Sequence, residues 1–165
     1  MHHLHWAEDV SLAGRNTFHL QAKAMAMCDL TQLDNMQQVF DLAEAKQLPV
    51  LVIGEGSNIL LAGDYPGLVL CITANQCSIL EHNNEQALIR AEAGMLWNDL
   101  VHWTLARGWN GLENMALIPG TVGACPIQNI GAYGVEVSEF IETVEAYHRM
   151  TGRVKRLSNI DCEFA

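Results

Sequence analysis

The sequence has no long apolar segment. Half of its 165 residues are apolar, but they never form the run of about 18 that a transmembrane helix needs. The first residues also lack a basic region followed by an apolar run of roughly 7–15 residues, so we expect no secretory signal. The composition predicts one ordinary globular domain with its own core and no membrane partner.

Basic residues are scarce. Nine Lys and Arg stand against 19 Asp and Glu, which gives a formal net charge of −10. Because duplex nucleic acid is bound mainly by cationic side chains, we expect no nucleic-acid partner. An anionic ligand would have to be held by backbone N–H groups and a few local cations.

Paired cysteines and clustered metal ligands are missing as well. The cysteines are scattered, odd in number and without a C-x-x-C motif: Cys28, Cys71, Cys77, Cys125 and Cys162. We therefore expect small buried thiols, no disulfide framework, no metal site and a reducing cytoplasm. His2, His3 and His5 are a conceivable metal site, but a frayed terminus is the simpler interpretation.

Apolar periodicity divides the chain into three parts. Residues 1–15 show little pattern and are expected to be an N-terminal extension. Residues 16–72 favour a β-α-β lobe, with a helix at 31–47 that opens on the capping box Thr31-x-x-Asp34. We predict strands at 49–53, 59–61 and 68–72, and a turn at 65–67.

Residues 73–165 favour a more antiparallel lobe. Strands at 77–81 and 87–91 are expected to meet at an Asn83-Asn84 turn, and a helix at 96–107 to end at Gly108. A second hairpin is predicted from 140–148 and 153–157. Ser158-x-x-Asp161 is typical of the start of a helix or turn.

The loop after the strand at 49–53 is a candidate phosphate cradle. In Gly54-Glu55-Gly56-Ser57-Asn58 the glycines permit unusual torsions, so that successive N–H groups can converge on an anion. Ser57 and Asn58 add side-chain donors. Neither a Rossmann G-x-G-x-x-G followed by a helix nor a Gly-Lys-Ser/Thr P-loop is present. A plain tight turn remains the alternative.

Residues 111–134 hold five glycines, two prolines and almost no charge, which opposes a long helix. Within them, Ile118-Pro119-Gly120-Thr121-Val122-Gly123 is a second candidate cradle, with packing as the alternative. Two cradles suit the pyrophosphate of FAD, and the glycines would let a buried backbone approach a flat, anionic cofactor. Tyr133 is either packed core or ligand-facing, and Glu113 is either a local cap or a site residue.

Taken in order and spacing, these motifs resemble the UDP-N-acetylenolpyruvoylglucosamine reductase (MurB) family of flavoenzymes. The resemblance rests on residues 54–61, 94–101, 111–114, 118–123 and 126–134, with further matches at 16–18 and 161–164. It covers roughly residues 10–165. It implies an α+β fold, the FAD-binding domain of the vanillyl-alcohol oxidase or p-cresol methylhydroxylase type, built of two small α+β lobes with non-covalent FAD between them.

The resemblance also implies a reaction, in which NADPH reduces FAD and hydride then passes to the double bond of UDP-GlcNAc-enolpyruvate to give UDP-MurNAc. It implies that residues 54–58 and 118–123 hold the pyrophosphate and that residues 123–134 lie along the flavin. The cofactor-binding residues would be Gly54, Glu55, Gly56, Ser57, Asn58, Ile118, Pro119, Gly120, Thr121, Gly123, Ala124, Ile127, Asn129, Gly131 and Tyr133.

The family's catalytic arginine, serine and glutamate correspond to positions beyond residue 165. We therefore expect the FAD-binding part of the enzyme, a monomer, without catalytic residues and without substrate binding unless a C-terminal domain is present. Cys125 stands where the family usually has a small or hydroxyl-bearing residue. Two alternatives stay open: an FAD-dependent oxidase of the same fold, and a non-catalytic nucleotide-binding module.

Overall fold

The computed structural model describes residues 4–164. The chain divides into two units, Met1–Asn75 and Gln76–Ala165, and each has its own hydrophobic core. The boundary between the units lies at residues 75/76, close to the boundary at 72/73 that the sequence predicted between the two lobes. In the part of the chain described, neither helix combines the length and the hydropathy that crossing a membrane demands.

Within residues 4–75, the first unit consists of a four-stranded sheet and one α-helix, α1 (Met36–Ala45). The strands are β1 (His5–Ser11), β2 (Lys23–Leu30), β3 (Val50–Ile53) and β4 (Tyr65–Ile72). The sheet order is β1-β2-β4-β3, with β1 antiparallel to β2 and the other pairings parallel. The carboxyl ends of β2, β4 and β3 therefore share one edge, where Asp29, Cys71 and Ile53 lie in register.

Side chains of the central strand β4 alternate between two core clusters, because successive residues of a strand face opposite sides. Leu68 and Leu70 pack in the cluster that contains Val39 of α1. Val69 and Cys71 pack on the other side, in the cluster that contains Leu12. The sheet is thus covered on both faces.

One expectation for the start of the chain needs correction, and one strand there was not predicted. Residues 1–15 are not only an extension, since β1 pairs with β2 as the edge strand of the sheet. His5 lies in this strand, whereas His2 and His3 lie outside the described residues. Strand β2 was not expected at all, because its Ala and Met residues carry no strong strand preference.

Three local expectations in this unit are also wrong. Residues 65–67 begin β4 and do not form a turn, and residues 59–61 are irregular. The Thr31 hydroxyl forms a hydrogen bond with the Thr73 hydroxyl at 2.9 Å and does not cap the helix as the predicted capping box requires. A 3₁₀ turn, Leu33–Asn35, precedes α1 instead.

As far as residue 164, the second unit contains three two-stranded antiparallel sheets and one α-helix, α2 (Trp97–Leu105). The predicted helix and both predicted hairpins are confirmed. Ser158 donates its N–H (3.0 Å) and hydroxyl (2.6 Å) to the Asp161 carboxylate, which confirms the predicted turn. The strands are β5 (Cys77–His82), β6 (Ala87–Ala91), β7 (Gly131–Ala132), β8 (Val135–Glu136), β9 (Thr143–His148) and β10 (Arg153–Ser158).

The core of this unit forms where α2 packs against the glycine-rich stretch. Trp97 and Val101 of α2 are buried together with Met115, Cys125 and Ile130. The Trp97 Nε1–H donates to the Met115 carbonyl at 2.8 Å, which fixes the stretch to the helix. The backbone of residues 111–134 is thereby held in place with only short regular elements, the 3₁₀ turns Glu113–Met115 and Cys125–Ile127 and the two-residue strand β7.

Candidate FAD-binding site

The loop at 54–58 leaves β3 at the carboxyl edge of the three parallel strands, the edge at which ligands bind in open α/β sheets. Ser57 is half-buried, and its N–H and hydroxyl donate to no other residue within 4–164. Gly54 is half-buried, and Glu55 and Asn58 are exposed. The loop therefore offers neutral donors at a ligand-binding edge.

Gly56 serves the protein's own packing. Its φ is +69°, and a Cβ there would collide with the Arg15 carbonyl oxygen. Its own carbonyl accepts the Thr17 N–H at 3.2 Å. The glycine that suggested close approach to a cofactor is thus required by a neighbouring segment of the chain.

The second loop, 118–123, is bonded along its length to residues 93–97. Gly120, at φ +123°, accepts the Trp97 N–H at 2.9 Å. Gly123 donates to the Ala93 carbonyl at 2.8 Å, and a Cβ on Gly123 would lie 2.6 Å from the Ala93 Cβ. Thr121 is buried. The loop is thus fixed by its own unit, and its exposed residues are Pro119 and Gly123.

Large apolar side chains stand out from the glycine-rich stretch. Leu117, Ile127 and Tyr133 are 81%, 85% and 91% exposed, although Cys125 and Ile130 between them are buried. The sequence predicted a buried backbone here, whereas the stretch combines buried residues with exposed ones. Exposed apolar side chains of this kind suit contact with a flat aromatic ring system.

Tyr133 lies at the tip of the two-residue turn between β7 and β8. Its φ is +54° and that of Gly134 is +81°, which is the pattern of a type I′ turn. Asn, Asp or Gly are the usual residues at such positions, and an aromatic residue there is strained. The alternative of a packed core tyrosine is excluded by its exposure.

The Asn129 side chain is hydrogen-bonded to other residues of the chain. Its Nδ2 donates to the Glu136 carboxylate at 2.7 Å, and its Oδ1 accepts the Ser138 N–H at 3.2 Å. Glu136 and Glu139 also form a reciprocal capping box, whose Glu136-x-x-Glu139 spacing was the sequence signal that we missed. These carboxylates line an open cavity of about 520 Å³ beside Gly131, where their charge opposes an anionic group.

Glu113 is a local cap. Its carboxylate accepts the Gly111 N–H, and this hydrogen bond lowers the pKa of the carboxyl below its ordinary value. Gly111, at φ +126°, packs against the Phe140 ring. Of the two interpretations of Glu113, a local cap or a site residue, the geometry supports the local cap.

The Cys125 thiol is also structural. It is 4% exposed, and burial raises its pKa to about 12. The thiolate is the reactive form of cysteine. Because Cys125 stays a protonated thiol at neutral pH, its side chain is unreactive. Within residues 4–164, the cysteines are free thiols and no three metal-ligating side chains cluster.

The fold and the family match together define a flavin-binding protein. The sequence matches the family model described as FAD binding domain over residues 26–158, and the chain belongs to that family. FAD is thus its cofactor, as the motifs predicted.

Comparison with curated proteins confirms the resemblance to one group of flavoenzymes. The chain is 48% identical, over 98% of its length, to the UDP-N-acetylenolpyruvoylglucosamine reductase of Xanthomonas euvesicatoria pv. vesicatoria, and covers 47% of that protein. It is 51% identical to the same-named protein of Xylella fastidiosa strain 9a5c over 91% of its length and 43% of that protein. The chain spans about half the length of the curated relatives it matches.

Solved structures confirm the predicted α+β fold of the vanillyl-alcohol oxidase type. MurB from Thermus caldophilus aligns with a TM-score of 0.71 at 21% identity, over 96% of this chain and 53% of that one. A solvent-stable cholesterol oxidase aligns with a TM-score of 0.64 at 18% identity, over 94% of this chain and 33% of that one. At these identities the likeness shows the fold alone.

The chemistry of the residues in each unit is compatible with FAD. In the first unit Ser57 offers neutral donors of the kind that a phosphate oxygen accepts. In the second unit Leu117, Ile127 and Tyr133 offer exposed apolar surface of the kind that an aromatic ring system contacts. Neither feature serves the packing of its own unit, since the donors are unused and the side chains are exposed.

Proposed function

We propose that this chain is the FAD-binding portion of a UDP-N-acetylmuramate dehydrogenase, which reduces UDP-GlcNAc-enolpyruvate with NADPH in peptidoglycan precursor synthesis. The observation that carries the proposal is 48% identity with a reductase of that name over 98% of the chain. The FAD-binding family alone would also admit oxidases, whose structures are similar only in fold.

The proposed cofactor contacts follow from what each loop offers. Ser57, with the backbone of Gly54–Asn58, would donate to the FAD pyrophosphate, and residues 118–123 would contribute the backbone around Gly120 and Thr121. Ala124, Ile127 and Tyr133 would lie along the flavin. Bound FAD supplies hydride transfer between NADPH and the enolpyruvyl group.

In this proposal Asn129 and Gly131 contribute through their backbone and not through side-chain contacts with FAD. The Asn129 side chain is occupied by Glu136 and Ser138, and a Cβ on Gly131 would lie 2.7 Å from the Val135 carbonyl oxygen. Their role would be to hold the β7–β8 turn that presents Tyr133.

We further propose a cytoplasmic monomer. Five free thiols suit a reducing compartment. The relatives contain further sequence that this chain does not match. We propose that binding of the UDP-sugar, and turnover, both require a counterpart of that further sequence.

The flavin carried by the purified chain tests this proposal. We expect heat-released flavin to be FAD by chromatography and mass spectrometry, in close to one equivalent per chain, and NADPH oxidation with UDP-GlcNAc-enolpyruvate to stay at background. A chain that carries FMN, or that consumes oxygen with an alcohol substrate, would favour a different flavoenzyme. Turnover by the chain alone would contradict the assignment of the catalytic residues to the remainder of the relatives.

A further inference from the structure

The segment 12–20, between β1 and β2, packs against the loop 54–58. Leu12 is 1% exposed and donates its N–H to the Ala22 carbonyl at 2.8 Å. It belongs to the same core cluster as Ile53 and Ile59, the residues on either side of the loop. One cluster thus anchors both the segment and the loop.

Asn16 holds this segment in shape. It is 3% exposed. Its Nδ2 donates to the carbonyls of Leu12 (2.8 Å) and Leu20 (3.3 Å), and its Oδ1 accepts the Leu20 N–H at 3.0 Å. One side chain therefore supplies the hydrogen bonds that a regular element would otherwise give this stretch of backbone.

The backbone around Asn16 in turn shapes the loop. The Thr17 N–H donates to the Gly56 carbonyl, and the space beside the Gly56 Cα is filled by the backbone of Arg15 and Asn16. The Arg15 guanidinium bonds Asp29 at 2.8 Å, which ties the segment to the carboxyl edge of β2. The loop is thus fixed on the side of Gly56, while the Ser57 donors stay unused.

We infer that Asn16 is a positioning residue for FAD: through the backbone of residues 15–17 it holds the loop 54–58 in the conformation that presents its donors to the pyrophosphate. The inference rests on the proposed role of that loop. Asn16 lies outside residues 26–158, which the FAD-binding family model matches, so this support is additional to the domain that the family defines.

Two asparagines of the chain allow a matched test. Asn159 also caps two carbonyls, those of Ser138 and Ile141, both at 2.7 Å, but it lies beside β9 and β10. Asn16→Ala and Asn159→Ala each leave two buried or part-buried carbonyls without a donor, and both should lower the stability of the fold. Only Asn16→Ala should alter the FAD-binding loop.

The readouts are FAD affinity, from flavin fluorescence at a temperature where every variant is folded, and hydrogen exchange of the Thr17 amide without FAD. We expect Asn16→Ala to weaken FAD binding roughly tenfold and to speed Thr17 exchange, and Asn159→Ala to stay within about twofold of the parent in both. If Asn16→Ala does not fold, Asn16→Ser, which keeps one hydroxyl donor, should show a smaller loss in the same direction.

Parent-like FAD affinity and Thr17 exchange in the folded Asn16 variants would overturn the inference, as would an equal loss of affinity in Asn159→Ala. The proposed function fails differently. A folded parent chain that binds no FAD would overturn both the proposed function and the positioning role.

Discussion

Tyr133 keeps a backbone conformation that its own side chain disfavours. Its φ of +54° and its 91% exposure mean that the residue gives up local stability without gaining burial. Strain of this kind persists where the surrounding structure or a ligand has a use for it. The turn is held by the hydrogen bond between Asn129 and Glu136, and the proposed use of the strained residue is contact with the flavin.

Tyr133→Asn should therefore have opposite effects on folding and on binding. Asn accepts a positive φ more readily, so the free energy of unfolding should rise by about 1 kcal/mol, while FAD affinity should fall because the aromatic contact is lost. Urea denaturation without FAD and a fluorescence titration measure the two quantities. The control is Met150→Asn, which replaces a large side chain by Asn in another exposed turn. An unchanged FAD affinity would remove Tyr133 from the site.

At the level of elements, one carboxylate joins two of the small sheets of the second unit. Glu145 of β9 bonds Arg90 of β6 at 2.6 Å and Arg156 of β10 at 2.8 Å. The hydrogen bond from Arg156, with smaller contributions from Arg90, holds the pKa of Glu145 below its ordinary value of 4.5. The native state therefore favours the ionised carboxylate.

The stabilisation from Glu145 should depend on pH with a definite sign. Because the folded pKa is the lower one, the contribution is present above pH 4.5 and is lost as the pH falls through the folded pKa. Glu145→Gln should lower the free energy of unfolding at pH 7 by less than about 1 kcal/mol, as expected for a partly exposed pair. Urea denaturation at several pH values, with Glu142→Gln as the control, checks this. A difference that grows below pH 4.5 would contradict it.

The elements that the sequence predicted are those defined by local patterns. Both helices and the hairpins β5–β6 and β9–β10 depend on spacing within a few residues, and all four are present. The start of β4 was mistaken for a turn because Pro66 and Gly67 are turn residues. In the sheet, pairing with β2 shifts register between Ala24 and Ala26 at this point, a bulge that accommodates the proline.

The assignment of the candidate site to the two glycine loops stays a prediction. The partners of the glycines could not be predicted, because they are distant in sequence: Arg15 for Gly56, Ala93 for Gly123 and Phe140 for Gly111. No local pattern contains such contacts. The internal bonding of Asn129 and the support from Asn16 escaped notice for the same reason.

The whole molecule carries a net charge of −10, the same sign as the FAD pyrophosphate. The long-range field of the chain therefore opposes binding, and the attraction must come from local dipoles and hydrogen-bond donors. The described loops agree with this, since residues 54–58 and 118–123 contain no Lys or Arg.

FAD affinity should consequently be insensitive to salt, or slightly higher as salt rises. Raising NaCl from about 50 to about 300 mM screens the repulsion between like charges and leaves short hydrogen bonds largely unchanged. Fluorescence titrations at the two concentrations measure the effect. A tenfold loss of affinity at high salt would show that cationic side chains, and not these loops, carry the binding.

Equilibrium titration of the flavin-free 165-residue chain with FAD, with circular dichroism to confirm that it is folded, tests the central claim most directly. We expect saturable binding of one FAD per chain, with weaker binding by Ser57→Ala and unchanged binding by Ser78→Ala in the exposed strand β5. A folded chain that shows no saturable response to FAD, or a Ser57→Ala variant that binds like the parent, would contradict the account of this site.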